Sequence, residues 1–486
     1  MTGNFDHLVV LMLENRSFDH MLGRLYHPEN PPPYNQPPNG QSFDGVTDDM
    51  SNPLFPLPFP PSDGSFFVRR VMAPDYDAPG DNSVGHQYPD VQMQIYGVPG
   101  EPGLMQGFVS DRLLQFPLPH PPATAATVTQ AQLGAVMAGF SPTEMTTVSG
   151  QKHYAACTVL STLAREFAVC DNWYSSMPGP TFCNRSFLHA GTSNGWTSNS
   201  NDWSLNTNPT IFNSLLALQG PSGAKIYHGN GTYGDLPCVT YGIHPSIPVP
   251  NPDTGTIQQF CIDAAKGALP SYAFIEPEIL GYDDGNPPND QHPSRDIRYA
   301  ENLINTVYLA LRNGPAWERT LLVVTYDEHG GFFDHCVPPA AAAPDVAEPP
   351  GENGFNFTSL GVRVPAVLIS PLIQPGTVFH PAQAVDHTAV IRTLCNRWNL
   401  PSLTQRDANA VDFSTVLGTI VRPLSDTPVP AFWRLPIKSD ADMPLNDLQI
   451  DFLTLIANRH HLKCPPLLTQ ADARRFLKTL LAEPSG

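Results

Sequence analysis

The chain has 486 residues, 41% of them hydrophobic, enough for a large packed core and a soft expectation of two to three domains. Its formal net charge of −19, from 45 acidic and 26 basic residues, argues against a general nucleic-acid binder and against a polybasic anchor on anionic membranes. It leaves room for zwitterionic lipid or small phosphorylated substrates, because a bound metal would supply local positive charge.

The 54 prolines are concentrated early in the chain and imply long ordered loops. The eight cysteines form no C-x-x-C pair, which argues against a structural zinc site; their even count permits disulfides without requiring them. No apolar run reaches membrane-spanning length. Leu8–Leu13 is too short for a signal core and ends in Glu14-Asn15, so it reads as a first strand. The expectation is a protein without a transmembrane segment, cytoplasmic or exported with its leader already removed.

In chain order, HLVVLML at 7–13 predicts a buried strand, followed by ENRSFDH, in which Ser17 is placed to cap a short helix. Residues 28–83 are rich in Pro and Asn and carry aromatics, which predicts a surface loop packed by its own side chains rather than a flexible linker. GHQYPDVQMQIYG follows, with His86. TVLSTLAREF at 158–167 predicts a helix, and Phe167–Val169 a short strand.

In PGPTFCNRSFLHA, Pro178-Gly179-Pro180 breaks regular structure just before Thr181. A hydroxyl there has two readings: a helix N-cap, or a nucleophile whose phosphate target sits at the helix N-terminus, where free N–H groups and the dipole favour anions. Residues 197–260 read as an insertion or cap containing a strand-like Ala224–His228. Ser271–Pro277 predicts a strand and residues 296–312 a helix, with Ile297, Ala300, Ile304, Val307 and Leu311 at helical spacing and Gly314 beyond the last turn.

TLLVVTYDEHGGFFDH at 320–335 follows. Leu321–Val324 is a continuous apolar run of the kind found in a central parallel strand covered on both faces. It closes a βαβ-like unit from Ser271 to Tyr326 and stops at Asp327, Glu328 and His329, then Gly330-Gly331. Ligands of open α/β sheets bind outside the carboxyl ends of strands. Two acidic strand ends, Glu14-Asn15 and Asp327-Glu328, can therefore meet at one sheet edge although some 300 residues separate them. Val362–Ser370 predicts a further strand, Asp386-His387 a structural helix start, and residues 446–459 and 470–481 two closing helices.

Three motifs stand in order: ENRSFDH at 14–20, GPTFCNR at 179–185 and DEHGGFFDH at 327–335. Together they resemble the phosphoesterase family that includes bacterial phospholipases C, plant non-specific phospholipases C and a class of bacterial acid phosphatases, similar in fold to alkaline phosphatase and the arylsulfatases. The resemblance spans residues 5–400 and takes in GHQYPDVQMQIYG, LMQGF and VRVPAVLISP; residues 401–486 add nothing to it. It implies an α/β fold, an alkaline phosphatase-like three-layer α/β/α sandwich around a mostly parallel sheet. The implied catalytic domain is 1–400, with insertions at 28–83 and 197–260, followed by a C-terminal loop and helical subdomain over 401–486.

The resemblance also implies roles. Glu14, Asn15, Asp327 and Glu328 would hold a metal, Thr181 would be the nucleophile and touch that metal, and Asn184 would bind a phosphate oxygen. His86, His292 and His228 would line the pocket, with His292 or His228 protonating the leaving group and His86 binding phosphate. Family members often carry Pro between the nucleophile and the Asn, where this chain has Cys183. Asp19, His20, Asp334 and His335 would orient the ligands, and His329 is open between ligand support and phosphate contact.

An oxygen-rich ligand set favours Ca²⁺, Mg²⁺ or Mn²⁺ over thiolate-bound zinc. Coordination would make a threonine alkoxide usable, leading through a phosphothreonine intermediate to hydrolysis. The expected activity is that of a phospholipase C-like phosphoric ester hydrolase releasing diacylglycerol and a phosphorylated headgroup. The alternatives are an acid phosphatase acting on monoesters and an inactive binding protein on the same scaffold; the C/S-x-P-x-R context of a sulfatase is absent at Thr181-Phe182-Cys183. The expected partner is a phospholipid or small phosphate ester, with no nucleic acid. The Pro- and aromatic-rich loops at 53–67 and 113–122 are candidates for transient contact with a lipid surface.

Overall fold

The computed structural model describes residues 5–54, 65–71, 84–98, 101–102, 104–116, 129–142, 146–148, 151–153, 157–229, 238–248, 255–281, 287–344, 351–435 and 442–482. Much of the two candidate lipid-contact loops (55–64 and 117–122) lies outside them. The central sheet has seven strands: β1 (His7–Leu13), β2 (Ala168–Cys170), β3 (Ala224–Tyr227), β4 (Tyr272–Ile275), β5 (Thr320–Tyr326), β6 (Ala366–Ile369) and β7 (Thr377–Val378), in the order β3-β4-β1-β5-β6-β2-β7. All pairings are parallel except those of β6, which runs against β5 and β2.

The apolar runs explain the centre of this sheet. Val9, Val10 and Leu11 of β1 and Leu322, Val323 and Val324 of β5 are wholly buried, each contributing about 1.5–3 kcal/mol on transfer from water. The predicted βαβ unit is present, but β1 lies between β4 and β5, so the crossover spans one strand. Val362–Ser370 forms a strand only over Ala366–Ile369, and its apolar pattern carries no information on direction; the reversal of β6 is a property of the tertiary fold. Residues 197–260 are more than a cap, since they supply edge strand β3.

Ten helices are used below: α1 (Phe18–Met21), α2 (Tyr88–Tyr96), α3 (Thr158–Glu166), α4 (Thr181–Ala190), α5 (Ile211–Gln219), α6 (Ile257–Lys266), α7 (Arg298–Arg312), α8 (Ala389–Trp398), α9 (Asp447–Arg459) and α10 (Gln470–Ala482). α7 packs with α3 and α6 in one helical layer, and α4 packs with α5 and α8 in the other. The early loop region builds a satellite apolar cluster from Val46, Leu54, Phe66, Val91, Ile95, Phe108 and Leu133, joined by Phe333 and Val362, as a self-packed loop requires. Leu448, Phe452 and Ile456 of α9 belong to the main core, and Gln449 donates to Ile279 O at 2.6 Å, so this C-terminal helix is docked on the sheet body. Among the described residues, no helix is long and apolar enough to cross a membrane.

Candidate active site

The register of β1 on β5 builds the site. Leu13 pairs with Tyr326, so the next residues, Glu14 and Asp327, leave the sheet side by side. Asp327 N donates to Leu13 O at 3.1 Å, and Asn15 N donates to Asp327 Oδ1 at 3.0 Å. Asn15 turns through a left-handed conformation (φ 55°), and Gly330, at φ 63°, packs against it so closely that a Cβ there would lie 2.1 Å from Asn15 O. The glycine after Asp327-Glu328-His329 thus permits the two strand ends to approach. Ser17 joins the same motifs from the other side, capping α1 by accepting from His20 N and donating to Phe333 O at 2.7 Å.

Thr181 enters from a third element. Pro180 holds the N-cap position of α4 without a side-chain bond, which suits a residue lacking an N–H, and Thr181 is the first helical residue. Its hydroxyl is therefore not used as the cap. Thr181 Oγ1 lies 3.3 Å from Glu14 Oε2 and 3.4 Å from Asn15 Oδ1, fully buried. One turn later Arg185 bonds Glu14 Oε1 and lies 3.7 Å from Glu276, giving the buried acids a countercharge.

These acids are costly to ionise. Burial raises the Glu14 carboxyl well above its usual range; Arg185 opposes this, while Asp327 and Asp290 add to it. Glu328 is pushed up to about 8, by burial first and partly offset by His86. Asp290, which no motif singled out, is raised to about 6 by burial and accepts the Glu14 N–H through its carbonyl at 2.8 Å. Asp327 Oδ2 and Glu328 Oε1 are buried with no hydrogen-bond partner. Orphaned carboxylate oxygens beside a buried hydroxyl are what a hard divalent cation satisfies, so the residues present fit such an ion. Glu328 accepts the Gly330 N–H at 2.7 Å through its other oxygen, which faces His329 Nδ1 at 3.4 Å.

The histidines divide. His86 and His292 stand edge to face, ring centroids 5.8 Å apart, and both meet Asp447, the first residue of α9: His86 Nε2 at 2.6 Å and His292 Nε2 at 3.3 Å. Burial works against protonating His86, but Asp447 and Glu328 outweigh it and hold its pKa well above the ordinary value. Asp451, one turn on, is raised to about 6 by burial and accepts from Asn199 Nδ2 at 3.0 Å, while Asn199 Oδ1 accepts the Phe182 N–H at 2.8 Å. The C-terminal helix thus reaches both the histidine pair and the start of α4. Neither carboxylate lies in a motif; an i, i+4 acidic pair at the head of a capped helix is the only sequence signal for them.

His228 follows β3 directly, with Nδ1 donating to Gly229 O at 2.7 Å, and burial lowers its pKa. Among the described residues no hydrogen bond or ion pair joins it to Thr181, Glu14, Asp327 or Glu328. Asn184, expected at a phosphate oxygen, is engaged otherwise: its amide accepts from Met177 N at 3.1 Å and donates to Gly179 O at 2.8 Å, bracing the turn before Thr181. His387 does more than start a helix, since its Nε2 donates to the Asp327 carbonyl at 2.7 Å while Nδ1 accepts from Trp173 Nε1. His329 is held by Gln94 Oε1 at 2.6 Å and lowered to about 3 by burial, so it serves as a neutral support. His20 is likewise lowered by burial and stacks on Phe332 at 3.9 Å. Cys183 is buried and its thiol is pushed well up, which makes it unreactive. All eight cysteines are free thiols.

The geometry brings a buried hydroxyl at a helix start against the carboxylates of two strand ends, and by its family and relatives the chain is a phosphoric ester hydrolase. It belongs to the phosphoesterase family, whose family model matches residues 5–401. Non-specific phospholipase C6 of Arabidopsis thaliana is 35% identical over 474 residues, covering 93% of this chain and 80% of that one. Non-specific phospholipase C3 of the same plant is 34% identical over 478 residues, covering 93% and 81%. Among solved structures, an alkaline phosphatase superfamily protein from Vibrio parahaemolyticus aligns with a TM-score of 0.32 at 15% identity, covering 53% of this chain and 63% of that one.

Proposed function

We propose that the protein is a metal-dependent phospholipase C-like hydrolase that cleaves phospholipid to diacylglycerol and a phosphorylated headgroup through a phosphothreonine intermediate. The observation that carries the reading is the Thr181 hydroxyl, buried at the start of α4 and within 3.3 Å of Glu14 and 3.4 Å of Asn15. The names of the plant relatives, non-specific phospholipases C, support the substrate class. A divalent cation held by Asp327, Glu328, Asn15 and Glu14 would lower the pKa of the threonine hydroxyl and neutralise phosphate charge.

The ionised Thr181 Oγ1 attacks phosphorus in line, the bond to the glycerol oxygen breaks, and protonated His292 gives that oxygen its proton. Water then attacks the phosphothreonine, with His292 now taking the proton, and Thr181 is regenerated. His86, kept protonated by Asp447, binds a phosphate oxygen. Asn184 holds the turn that aims Thr181. The catalytic unit is residues 1–400, and the segment 401–486 completes its pocket through Asp447. Assaying phosphatidylcholine beside a nitrophenyl phosphate monoester and a nitrophenyl phosphocholine diester tests the reading. Turnover of the lipid and the diester is expected; activity on the monoester alone would overturn the lipase assignment.

A further inference from the structure

We propose a second metal site, for a zinc-class ion, formed by Asp44, His335 and Cys336. None of these residues bonds Thr181 or its carboxylates; His335, expected to orient the ligands, bonds Asp19 and Asp44 instead. His335 and Cys336 follow the Asp327-Glu328 motif after its glycine turn, and Asp44 comes from the early loop region. The donor groups converge: His335 Nε2 to Asp44 Oδ1 is 3.0 Å, Cys336 Sγ to the other Asp44 oxygen, Oδ2, is 3.1 Å, and Cys336 Sγ to His335 Nε2 is 3.4 Å, and one donor atom from each residue lies within 4.8 Å of the other two. Tetrahedral zinc, at its usual distances to imidazole, carboxylate and thiolate, separates such donors by about 3.3–3.6 Å. A side-chain adjustment that sets one Asp44 oxygen at that spacing from both the imidazole and the thiolate would seat the ion.

The surroundings favour this use. His335 Nδ1 donates to Asp19 Oδ2 at 2.7 Å, which fixes the ring and leaves Nε2 facing the other two donors. A carboxylate behind the imidazole is the usual support of a metal-bound histidine. Asp19 is itself held by Arg363 at 2.9 Å and accepts the His335 N–H at 2.8 Å. Asp44 is half exposed and His335 is 18% exposed, so an ion can enter and a fourth position faces solvent. One thiolate with one imidazole selects zinc over calcium or magnesium, the reverse of the oxygen-only set around Thr181. The missing C-x-x-C pair does not bear on a site with a single thiolate.

Without an ion, His335 is an imidazolium shared by Asp19 and Asp44, and the Cys336 thiol donates to Asp44. Binding expels the Cys336 thiol proton and the His335 Nε2 proton, so it tightens as pH rises. The bound ion would clip the loop carrying Asp44 to the end of the third motif.

The test is a cobalt(II) titration of the full chain preloaded with magnesium, followed by absorption. The expected result is a thiolate-to-cobalt charge-transfer band in the near ultraviolet that saturates at a single ion per chain and is bleached by zinc. Cys336→Ser should abolish the band, Asp44→Asn should weaken it, and Cys464→Ser should leave it intact. Zinc content by elemental analysis should fall by the equivalent of one ion per chain in Cys336→Ser. Absence of a band in the wild-type chain, or a band that survives Cys336→Ser, would overturn the site. Neither result depends on turnover, so the proposal stands or falls separately from the reading of Thr181.

Discussion

Replacing Asp447 by Asn removes a charge while keeping a side chain that can still meet both imidazoles. The carboxylate lies 2.6 Å from His86 and 3.3 Å from His292. Unit charges about 4 Å apart attract by about 4 kcal/mol at an effective dielectric of 20. The Asp447 side chain is 45% exposed, and solvent screening at such a position brings this down to about 1–2 kcal/mol. At about 1.4 kcal/mol per unit, the His86 pKa should fall by about one unit. If the protonated ring binds phosphate, the alkaline limb of kcat/KM for a nitrophenyl phosphodiester moves to lower pH by the same amount. The loss is about tenfold on that limb and small at pH values where the ring stays protonated. The assay is a pH series of kcat/KM for both proteins, with melting temperature as a check on folding. A profile that superimposes on the wild type, or one that drops equally at every pH, would refute the electrostatic role given to Asp447.

Gly330→Ala should destabilise the fold by more than about 2 kcal/mol, because the left-handed conformation alone costs about 1–2 kcal/mol and the new Cβ would meet Asn15 O; chemical denaturation checks it. Asp327→Asn and Glu328→Gln should each lower bound magnesium or calcium measured by elemental analysis, and unchanged metal content would contradict their assignment as ligands. Glu301 accepts the Val159 and Leu160 N–H groups at the start of α3, and burial raises its carboxyl to about 8 from 4.5. Its folded-state pKa lies above the unfolded one, so its contribution is full below 4.5 and is lost as pH rises through 8, at no more than about 1.4 kcal/mol per pH unit. Glu301→Gln should therefore flatten the fall in melting temperature across that window, and an unchanged slope would count against a buried titrating carboxyl.

The centre of the site was legible because it follows from strand ends. Continuous apolar runs marked β1 and β5 as buried, and polar residues at their carboxyl ends had one place to go. The break at Pro178-Gly179-Pro180 likewise located the start of α4. What the sequence did not carry depends on docking. Asp447 and Asp451 lie far along the chain from the other site residues, and only the packing of Leu448 and Phe452 into the core turns them toward the pocket. The motif places Asn184 at a phosphate oxygen, yet its spacing one turn into α4 equally suits bracing the preceding turn, which is the bond it makes. His228 ended a strand as Glu14 and Asp327 do, but β3 is the edge strand, separated from β1 by β4. The direction of β6 was hidden because a buried apolar strand has the same pattern whichever way it runs.

The account rests on Thr181 as the atom that takes phosphorus. Rapid quenching of the metal-loaded enzyme with a phosphodiester substrate, followed by peptide mass spectrometry, tests that directly. The expected result is a phosphate adduct on the peptide containing Thr181, formed during turnover and absent from Thr181→Ala, which should also be inactive though folded. A trapped phosphate on another residue, or substantial turnover by Thr181→Ala in a metal-replete preparation, would contradict it.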